Sequence, residues 1–385
     1  MTPRVLIIAG SDSGGGAGIQ ADIKTVTMLG GHAMTAITAI TAQNTLGVQA
    51  VLTVPTEMVI AQINSVVTDI GVDAVKIGMI GSAATAHAVA DVLEHLSVPI
   101  VFDPVMVATS GSVLADDETI AAFERLGRIA SLVTPNLVEL AALCGLDASL
   151  PDDVREAATD YATRLGTPVL AKGGHGDGDQ VIDWLIDGAG QWTRWRGDRI
   201  ASDQTHGTGC TLASAIATYL ARGCPWKSAI VRARQFVRIA IKDAPGLGSG
   251  HGPMGQQSVR LDLGSGARLN QVTVSTNDYT ASCAFYATLG LKQIVDTDDA
   301  HYARFEAAGG ATLSVEVGAR PTVYFECENL DAEVERLENA GVTFDQPPTD
   351  QPWLWREARL TDPSGNPVCL YQAGENRRYP PWRLG

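Results

Sequence analysis

Short apolar runs alternate with amphipathic stretches along the first 245 residues of the chain. The apolar runs typical of buried strands are 5–9, 75–78, 100–103, 132–134 and 169–172. The helical patterns between them are 19–29, 57–69, 85–96, 116–126 and 152–165. This alternation predicts an α/β fold, with a mainly parallel sheet flanked by helices. Ligands of such sheets bind at the carboxyl ends of the strands, so the residues after each strand are the candidates for function.

The pattern changes after Ala244. A glycine-rich stretch at 245–253 and a polar stretch at 256–266 predict loop and linker. After them a strand, a helix and further short strands occur twice, and the two helices end at Gly290 and Gly341. We therefore predict a second, smaller α+β domain of paired βαβββ modules. The expected organisation is a first domain over 1–255, a linker over 256–267, a second domain over 268–374 and a tail over 375–385.

Charge and composition restrict the class of protein. The chain has 28 basic and 43 acidic residues, for a net charge of −15, which argues against nucleic acid or an anionic membrane surface as a partner. No apolar run reaches the ~18 residues of a membrane span, and 5–9 is too short for a signal peptide. The six cysteines form no CxxC pair. We expect a cytoplasmic protein with reduced thiols that acts on a small molecule.

The first glycine-rich motif covers residues 10–22, between a predicted strand and a predicted helix. Glycines there allow a ligand to approach the backbone closely. The motif lacks the Gly-Lys-Ser/Thr ending of a P-loop, and its loose dinucleotide fingerprint is not followed by an acidic residue in the next strand region, 37–43. A tight strand-to-helix turn without a ligand is the alternative.

The second glycine-rich motif precedes an apolar helix at 212–220. Gly207 and Gly209, on either side of Thr208, would leave backbone N–H groups exposed at the positive end of that helix, an arrangement that binds phosphate oxygens. The same helix end is expected to lower the pKa of the Cys210 thiol from about 8.5. The alternative is a buried, inert cysteine behind a glycine turn.

Three further strand ends carry polar residues. Asn136 and Glu139 are three residues apart at a helix start, where they could hold magnesium waters or form a capping box. Lys172 could reach phosphates from a strand end or extend to solvent. Asp103 follows another strand. Taken together, these strand ends suit a nucleoside triphosphate, a metal and an acceptor.

In this order the motifs resemble those of the hydroxymethylpyrimidine/phosphomethylpyrimidine kinases of thiamine biosynthesis, which have a ribokinase-like fold. The resemblance rests on segments 9–25, 41–45, 76–79, 103–106, 134–139, 172–175, 206–211 and 248–253. It implies an ATP- and Mg²⁺-dependent enzyme that phosphorylates 4-amino-5-hydroxymethyl-2-methylpyrimidine and then its monophosphate. It also implies a homodimer.

The resemblance implies a role for each matching residue. The catalytic group consists of Lys172, Gly207, Thr208, Gly209 and Cys210. The acceptor pocket is lined by Gly10, Asp22, Gln43, Met79 and Val105. ATP and its phosphates are held by Asp103, Asn136, Glu139, Lys172 and Thr208, with Mg²⁺ in the network of Asn136 and Glu139. Cys210 occupies the position at which most ribokinase-like proteins have an aspartate base, and it either accepts the proton or only contacts substrate.

Two other functions stay open. A pyridoxine or pyridoxal kinase acts on a ring of similar size that also carries a hydroxymethyl group. Gln43 favours the aminopyrimidine, because an amide both donates and accepts hydrogen bonds along that edge. A non-catalytic, ligand-sequestering protein built on a decayed kinase is the third interpretation, and the intact Cys210 loop and the Asn136/Glu139 pair argue against it.

The second domain resembles the vicinal-oxygen-chelate superfamily, which includes glyoxalase and bleomycin-resistance proteins, through 284–291 and 362–367. The resemblance places the four metal-ligand positions at Gln271, Glu316, Thr322 and Cys369. Because threonine and cysteine stand where His and Glu are expected, we predict no metal in this domain. We expect an accessory binding cup for an unidentified small molecule, lined by Trp353 and Trp355. A domain that serves only stability or assembly is the alternative.

Overall fold

The computed structural model describes residues 2–106, 114–146, 154–175, 178–259, 267–297, 301–307, 309–363 and 365–384. The chain divides into a first unit, Met1–Val259, and a second unit, Arg260–Gly385. Within the described ranges, no helix is long and apolar enough to cross a membrane.

The first unit is built on one sheet, in which the described residues form nine strands in the order β3-β2-β1-β4-β5-β6-β7-β8-β9. The strands are β1 (Arg4–Asp12), β2 (His32–Asn44), β3 (Gly47–Thr53), β4 (Ala74–Ile77), β5 (Ile100–Phe102), β6 (Leu132–Val133), β7 (Val169–Ala171), β8 (Gln180–Ile186) and β9 (Trp192–Asp198). Strands β2, β1, β4, β5, β6 and β7 pair in parallel. The edge strands β3 and β9 pair antiparallel with their neighbours, and so do β7 and β8. The predicted mainly parallel α/β sheet is confirmed.

Among the described residues, six helices lie in connections between these strands and two more follow β9. They are α1 (Gly18–Met28), α2 (Thr56–Asp69), α3 (Ala83–Leu93), α4 (Asp117–Ile129), α5 (Leu137–Cys144), α6 (Val154–Leu165), α7 (Thr208–Ala221) and α8 (Trp226–Lys242). Two 3-10 turns, Gly173–His175 and Gln256–Ser258, complete the unit. The predicted helix at 152–165 is present from Val154, and its first two positions lie outside the described residues.

The central strands are apolar on both faces because helices cover both sides of the sheet. Val5, Leu6, Ile7 and Ile8 of β1 are all fully buried. Backbone hydrogen bonds continue past the strand ends: Asp103 N donates to Ile77 O at 2.9 Å, and the N–H of the residue after β6 donates to Phe102 O at 2.8 Å. The polar residues after several strands are therefore fixed at one edge of the sheet.

The second unit contains the two predicted βαβββ copies. Its described strands are β10 (Arg268–Thr276), β11 (Lys292–Thr297), β12 (Tyr302–Glu306), β13 (Thr312–Val317), β14 (Thr322–Glu326), β15 (Gln346–Asp350), β16 (Arg356–Thr361) and β17 (Pro367–Gln372). They form one sheet in the order β11-β12-β13-β10-β14-β17-β16-β15. Helices α9 (Tyr279–Thr288) and α10 (Leu330–Asn339) follow the first strand of each copy, and a 3-10 turn, Gly374–Arg377, follows β17.

The two faces of this second sheet differ. Helices α9 and α10 pack on an apolar face, where Phe305 and Val315 meet α9 and Ala358 and Leu370 meet α10. Strand register places mainly polar side chains on the opposite face, which we call the polar face. Its members include Gln271, Arg304, Glu306, Thr312, Ser314, Tyr324, Glu326, Glu357, Cys369 and Tyr371.

Candidate active site

The two glycine-rich loops meet at the carboxyl edge of the first sheet. Gly207 has a φ of +85°, and a Cβ on it would lie 1.9 Å from the carbonyl oxygen of Gly16. A Cβ on Gly16 would in turn lie 2.4 Å from Cδ2 of His206. Neither position has room for a side chain, so glycine is required where the loops cross.

Asp12 and His206 tie the loops together. The Asp12 carboxylate accepts hydrogen bonds from the N–H groups of Gly14 and Ala17, both at 2.8 Å, and its Oδ2 lies 3.0 Å from Nε2 of His206. Desolvation raises the pKa of Asp12, but the hydrogen bonds from His206 and the backbone outweigh it and lower that pKa below its ordinary value. An ionised Asp12 therefore shapes the first loop and anchors the second.

Gln43 lies within β2 and faces this junction. Its Nε2 is 3.2 Å from Nε2 of His206, and its Oε1 accepts a hydrogen bond from the Thr41 hydroxyl at 3.1 Å. The register of β2 against β3 shifts between Ala42 and Gln43, and a shift of this kind re-aims a side chain. Gln43 is thus held next to the second glycine-rich loop.

A second cluster joins the ends of β5, β6 and β7. Lys172 Nζ donates to Asp103 Oδ1 at 2.5 Å and lies 3.9 Å from Glu139 Oε2. Thr134 Oγ1 donates to the same Asp103 oxygen at 3.0 Å. A Cβ on Gly209 would lie 3.2 Å from Lys172 Nζ and 3.3 Å from Asp103 Oδ2. The start of α7 is therefore in direct contact with this cluster.

Asn136 and Glu139 form the capping box that the sequence left open as an alternative. Asn136 Oδ1 accepts from the Glu139 N–H at 2.9 Å, and Asn136 N–H donates to Glu139 Oε2 at 2.7 Å. Burial raises the pKa of Glu139 from 4.5 to about 7, against the opposing charge of Lys172. The amide oxygen of Asn136 is committed to the helix start, whereas the Glu139 carboxyl also faces Lys172.

Cys210 lies in the first turn of α7. The expectation that the helix start lowers its pKa is wrong. Desolvation by the surrounding protein raises the pKa of the Cys210 thiol from 9.0 to about 11, and the ammonium of Lys76 offsets this only in part. Asp22 and Asp103 add negative charge nearby. At neutral pH Cys210 is a thiol and not a thiolate base.

Asp22 and Lys76 form a fully buried ion pair. Lys76 Nζ donates to Asp22 Oδ2 at 2.8 Å, and Ser214 Oγ donates to Asp22 Oδ1 at 2.6 Å. Desolvation lowers the pKa of Lys76, but the adjacent Asp22 charge outweighs it, so the ammonium persists. Both oxygens of Asp22, which was predicted to line the acceptor pocket, thus have protein partners.

Gly10 and Met79 lie side by side. A Cβ on Gly10 would be 2.9 Å from the Met79 sulfur, and the Met79 carbonyl accepts a hydrogen bond from Thr38 Oγ1 at 2.6 Å. Val105 follows β5, and its N–H donates to Asp103 O at 2.8 Å. Thr208 is the first residue of α7 and is partly exposed.

Three of the four positions assigned to metal ligands in the second unit have hydrogen-bond partners or a raised pKa. Gln271 Oε1 accepts from Thr312 Oγ1 at 2.8 Å, and Thr322 Oγ1 donates to a backbone carbonyl at 2.9 Å. Burial raises the pKa of Cys369. Glu316, the fourth, lies in β13 and is partly exposed. Within the part of the chain that the structure describes, no three His, Cys, Asp or Glu side chains are close enough to hold a metal ion.

The two tryptophans of the predicted cup differ in environment. Trp355 is 3% exposed and stacks on Tyr371 with ring centroids 4.5 Å apart. Trp353 is 38% exposed and donates its Nε1–H to Glu357 at 2.8 Å. Only Trp355 therefore belongs to the packed interior of this unit.

Comparison with known protein families identifies both units. Residues 12–255 match the phosphomethylpyrimidine kinase family. This chain belongs to that family. Residues 268–370 match the glyoxalase, bleomycin resistance protein and dioxygenase superfamily. Both resemblances inferred from the motifs are confirmed.

Curated relatives of this kinase family match over the same region. The thiamine biosynthesis bifunctional protein ThiED of Geobacter sulfurreducens is 49% identical over 252 residues, which are 65% of this chain and 51% of that protein. The chain thus spans about half the length of that relative. The hydroxymethylpyrimidine/phosphomethylpyrimidine kinase of Streptomyces coelicolor is 46% identical over 254 residues, 66% of this chain and 93% of that protein.

Solved structures agree on the ribokinase-like fold of the kinase region. The ADP complex of Bacillus subtilis pyridoxal kinase is 34% identical with a TM-score of 0.61, covering 67% of this chain and 98% of that one. The phosphomethylpyrimidine kinase of Clostridium difficile is 36% identical with a TM-score of 0.55, covering 63% of this chain and all of that one. The family is therefore a kinase family whose members act on small molecules and use a nucleotide.

The sequence assigned no role to Asp12 and His206, which tie the two loops together, or to Lys76, which pairs with Asp22. A charged residue inside an otherwise apolar buried strand is the signal that Lys76 offered, because a buried lysine requires a partner. His206 offered none beyond its place in a glycine-rich loop.

Proposed function

We propose that this protein transfers the γ-phosphoryl group of ATP to the hydroxymethyl oxygen of 4-amino-5-hydroxymethyl-2-methylpyrimidine and then adds a second phosphoryl group to the monophosphate. The observation that carries the proposal is the meeting of both glycine-rich loops with the Asp103–Lys172 pair at one sheet edge. The names of the S. coelicolor and G. sulfurreducens relatives support the substrate and the place in thiamine biosynthesis.

The start of α7 would hold the transferred phosphate. Gly207 and Gly209 place backbone N–H groups at the positive end of a 14-residue helix, and Thr208, whose N–H donates to Thr205 O at 3.3 Å, is the first residue of that helix. Lys172 adds a positive charge beside Gly209. Phosphoryl transfer depends mainly on positioning and on neutralising the phosphate charge, which these groups supply.

The residues present fit Mg·ATP. Asp103 and Glu139 are buried carboxylates beside Lys172, and carboxylate oxygen is what Mg²⁺ takes alongside substrate phosphates. The Asn136 amide is held in the capping box, so we assign Mg²⁺ to Asp103 and Glu139 and leave Asn136 a positioning role. Bound Mg²⁺ would neutralise phosphate charge.

Gln43, Met79, Gly10 and Val105 would form the acceptor side. Gln43 Nε2 lies 3.2 Å from His206 Nε2. An acceptor bound by the Gln43 side-chain amide would therefore lie beside the anion hole. With a thiol pKa of about 11, Cys210 would contact the hydroxymethyl group as a neutral hydrogen-bond partner. Asp22 would act indirectly, by keeping Lys76 charged near Cys210.

A pyridoxal kinase is the second candidate, because the 34% identical B. subtilis structure is a pyridoxal kinase. Steady-state assays with ATP and each acceptor separate the two. We expect kcat/KM for the aminopyrimidine to exceed that for pyridoxal at least about tenfold, as a matched hydrogen-bonding edge allows. The reverse ranking would make the protein a pyridoxal kinase.

We also propose a homodimer and a cytoplasmic location. The edge strand β3 and its surroundings expose apolar side chains, of which Leu52 is 66% and Val51 46% exposed. Edge strands of this kind invite pairing. Analytical ultracentrifugation is expected to give twice the chain mass, and Leu52→Asp is expected to lower the measured mass.

The domain boundaries at 255 and 268 and an accessory binding role for the second domain are likewise proposals.

A further inference from the structure

One half of the polar face of the second unit, on strands β11 to β14, is contacted by the chain's own residues 374–384, which from here on we call the tail. The tail begins with the 3-10 turn Gly374–Arg377 after β17. Arg377 and Arg378 are only 1% and 8% exposed. Arginine is almost never buried this deeply unless its charge is paired, so the contacts of these two side chains are informative.

The Arg377 guanidinium spans β10 at the centre of the sheet. Its Nη1 donates to the Gly310 carbonyl at 2.8 Å and to Thr312 Oγ1 at 3.3 Å, and its Nε lies 3.3 Å from Glu326 Oε2. Thr312 in turn bonds to Gln271, one of the positions that the superfamily resemblance assigns to a metal ligand. A side-chain cation thus lies one hydrogen-bonded residue away from a position that the resemblance assigns to a metal ligand.

The environment of Glu326 favours a cationic partner. It is 2% exposed, and Asn270 Nδ2 donates to its Oε2 at 2.7 Å. The Tyr371 hydroxyl donates to Asn270 Oδ1 at 2.7 Å, which fixes the amide. Asn270 is the extra residue where the register of β10 against β14 shifts. A buried carboxylate oriented in this way is costly without a positive partner.

Further contacts fix the tail along the same face. Glu306 on β12 pairs with Arg378 and with Arg383, the latter at 3.1 Å. Arg304 Nη1 donates to the Arg377 carbonyl at 3.0 Å, and the Leu384 N–H donates to a β11 carbonyl at 2.9 Å. Backbone and side chains of the tail are therefore both recognised, as a bound peptide would be.

We propose that the polar face of the second unit is a binding site for an arginine-bearing peptide segment, and that the tail is its resident occupant. The Arg377 guanidinium fills the cation position of the site, between Glu326 and Thr312. Another peptide that binds this half of the face would have to displace the tail and supply a cation to Glu326. The inference does not depend on the kinase reaction.

The test supplies the tail in trans. A chain ending at Ala373 is mixed with a labelled synthetic peptide of residues 374–384, and fluorescence anisotropy measures binding. We expect saturable one-to-one binding, with an Arg377→Ala peptide at least about tenfold weaker, as loss of a charged hydrogen-bonding partner implies. An Arg377→Lys peptide keeps the charge but not the fork and is also expected to bind more weakly.

Two matched controls accompany the test. An Asn376→Ala peptide removes one exposed 3.4 Å hydrogen bond and is expected to bind nearly as the parent does. Glu326→Gln in the shortened chain is expected to weaken the parent peptide but not the Arg377→Ala peptide. A folded shortened chain that binds no peptide, or that binds the parent and Arg377→Ala peptides equally, overturns the proposal.

Hydrogen–deuterium exchange on the full chain decides the matter if the shortened chain does not fold. Arg377→Ala is expected to increase exchange in 374–384 while α9 and α10 stay protected, and Asn376→Ala to change neither. Unchanged protection of the tail in folded Arg377→Ala protein contradicts the proposal.

Discussion

The start of α7 allows the proposed anion hole to be perturbed without disturbing the fold. Gly209 lies in the first turn of α7, outside the left-handed region, so alanine is compatible with its backbone. In a helix alanine is even preferred over glycine by about 1 kcal/mol. The added methyl would lie 3.2 Å from Lys172 Nζ and 3.3 Å from Asp103 Oδ2, so this ion pair must shift by a few tenths of an ångström.

Gly209→Ala keeps the N–H of residue 209 but displaces the Lys172 ammonium, and we expect it to lower kcat by about 10²–10³, the usual cost of losing one preorganised group around a transferring phosphate. This equals about 3–4 kcal/mol in the activation barrier. The larger Gly209→Val is expected to abolish turnover. Melting temperature should stay close to the parent value. The assay couples ADP release to quantification of the phosphorylated product.

Gly223→Ala is the matched control. Gly223 follows α7 with a φ of +77°, and no atom lies within 4 Å of the position that a Cβ would occupy there. Alanine at this position costs about 1–2 kcal/mol of stability through backbone strain, but kcat should not change. Gly209→Ala should thus lower kcat but not the melting temperature, whereas Gly223→Ala should lower the melting temperature but not kcat. A folded Gly209→Ala protein with kcat within threefold of the parent would refute the anion-hole assignment.

Three further predictions concern specificity, pH and domain independence. Gln43→Leu is expected to raise KM for the aminopyrimidine by the factor that corresponds to about 1–3 kcal/mol of lost hydrogen bonding, while KM for ATP stays constant. Equal changes in the two KM values would place Gln43 outside the acceptor site. Burial raises the pKa of Glu139 to about 7, above the unfolded value of 4.5, so the folded state holds its proton more tightly and stability should fall as pH rises from about 4.5 to 7. Urea titrations should show that Glu139→Gln removes part of this decrease, and an identical pH profile would contradict the shift. A chain ending at Val259, which retains the buried Gln256, is expected to keep both phosphorylations, and their loss in folded material would show that the second unit completes the site.

The sequence predicted what depends on local pattern. A buried strand such as β1 contains a continuous apolar run, β4 is apolar except for Lys76, and the helices between the strands have clear periodicity. The hairpin of β8 and β9 was not predicted from apolar runs, because alternate residues of β9 are exposed and β9 contains no apolar run. The sequence expected the glycines to let a ligand approach the backbone, whereas at Gly16 and Gly207 the close approach is between the two loops themselves.

Properties set by distant residues could not be predicted. The pKa of Cys210 depends on Lys76, Asp22 and Asp103, which come from three other elements. A helix start alone predicts a lowered value, and burial reverses the sign. The Arg377–Glu326 contact likewise joins residues far apart in sequence, and the tail has no periodic pattern that would predict its position.

The most direct test of the proposed function is product analysis of a single reaction. Purified protein is incubated with ATP, Mg²⁺ and 4-amino-5-hydroxymethyl-2-methylpyrimidine, and phosphorus NMR with mass spectrometry follows the products. The account predicts that the monophosphate appears first and the diphosphate follows, with two ADP formed for each diphosphate. Folded protein that forms neither product from this acceptor would contradict it.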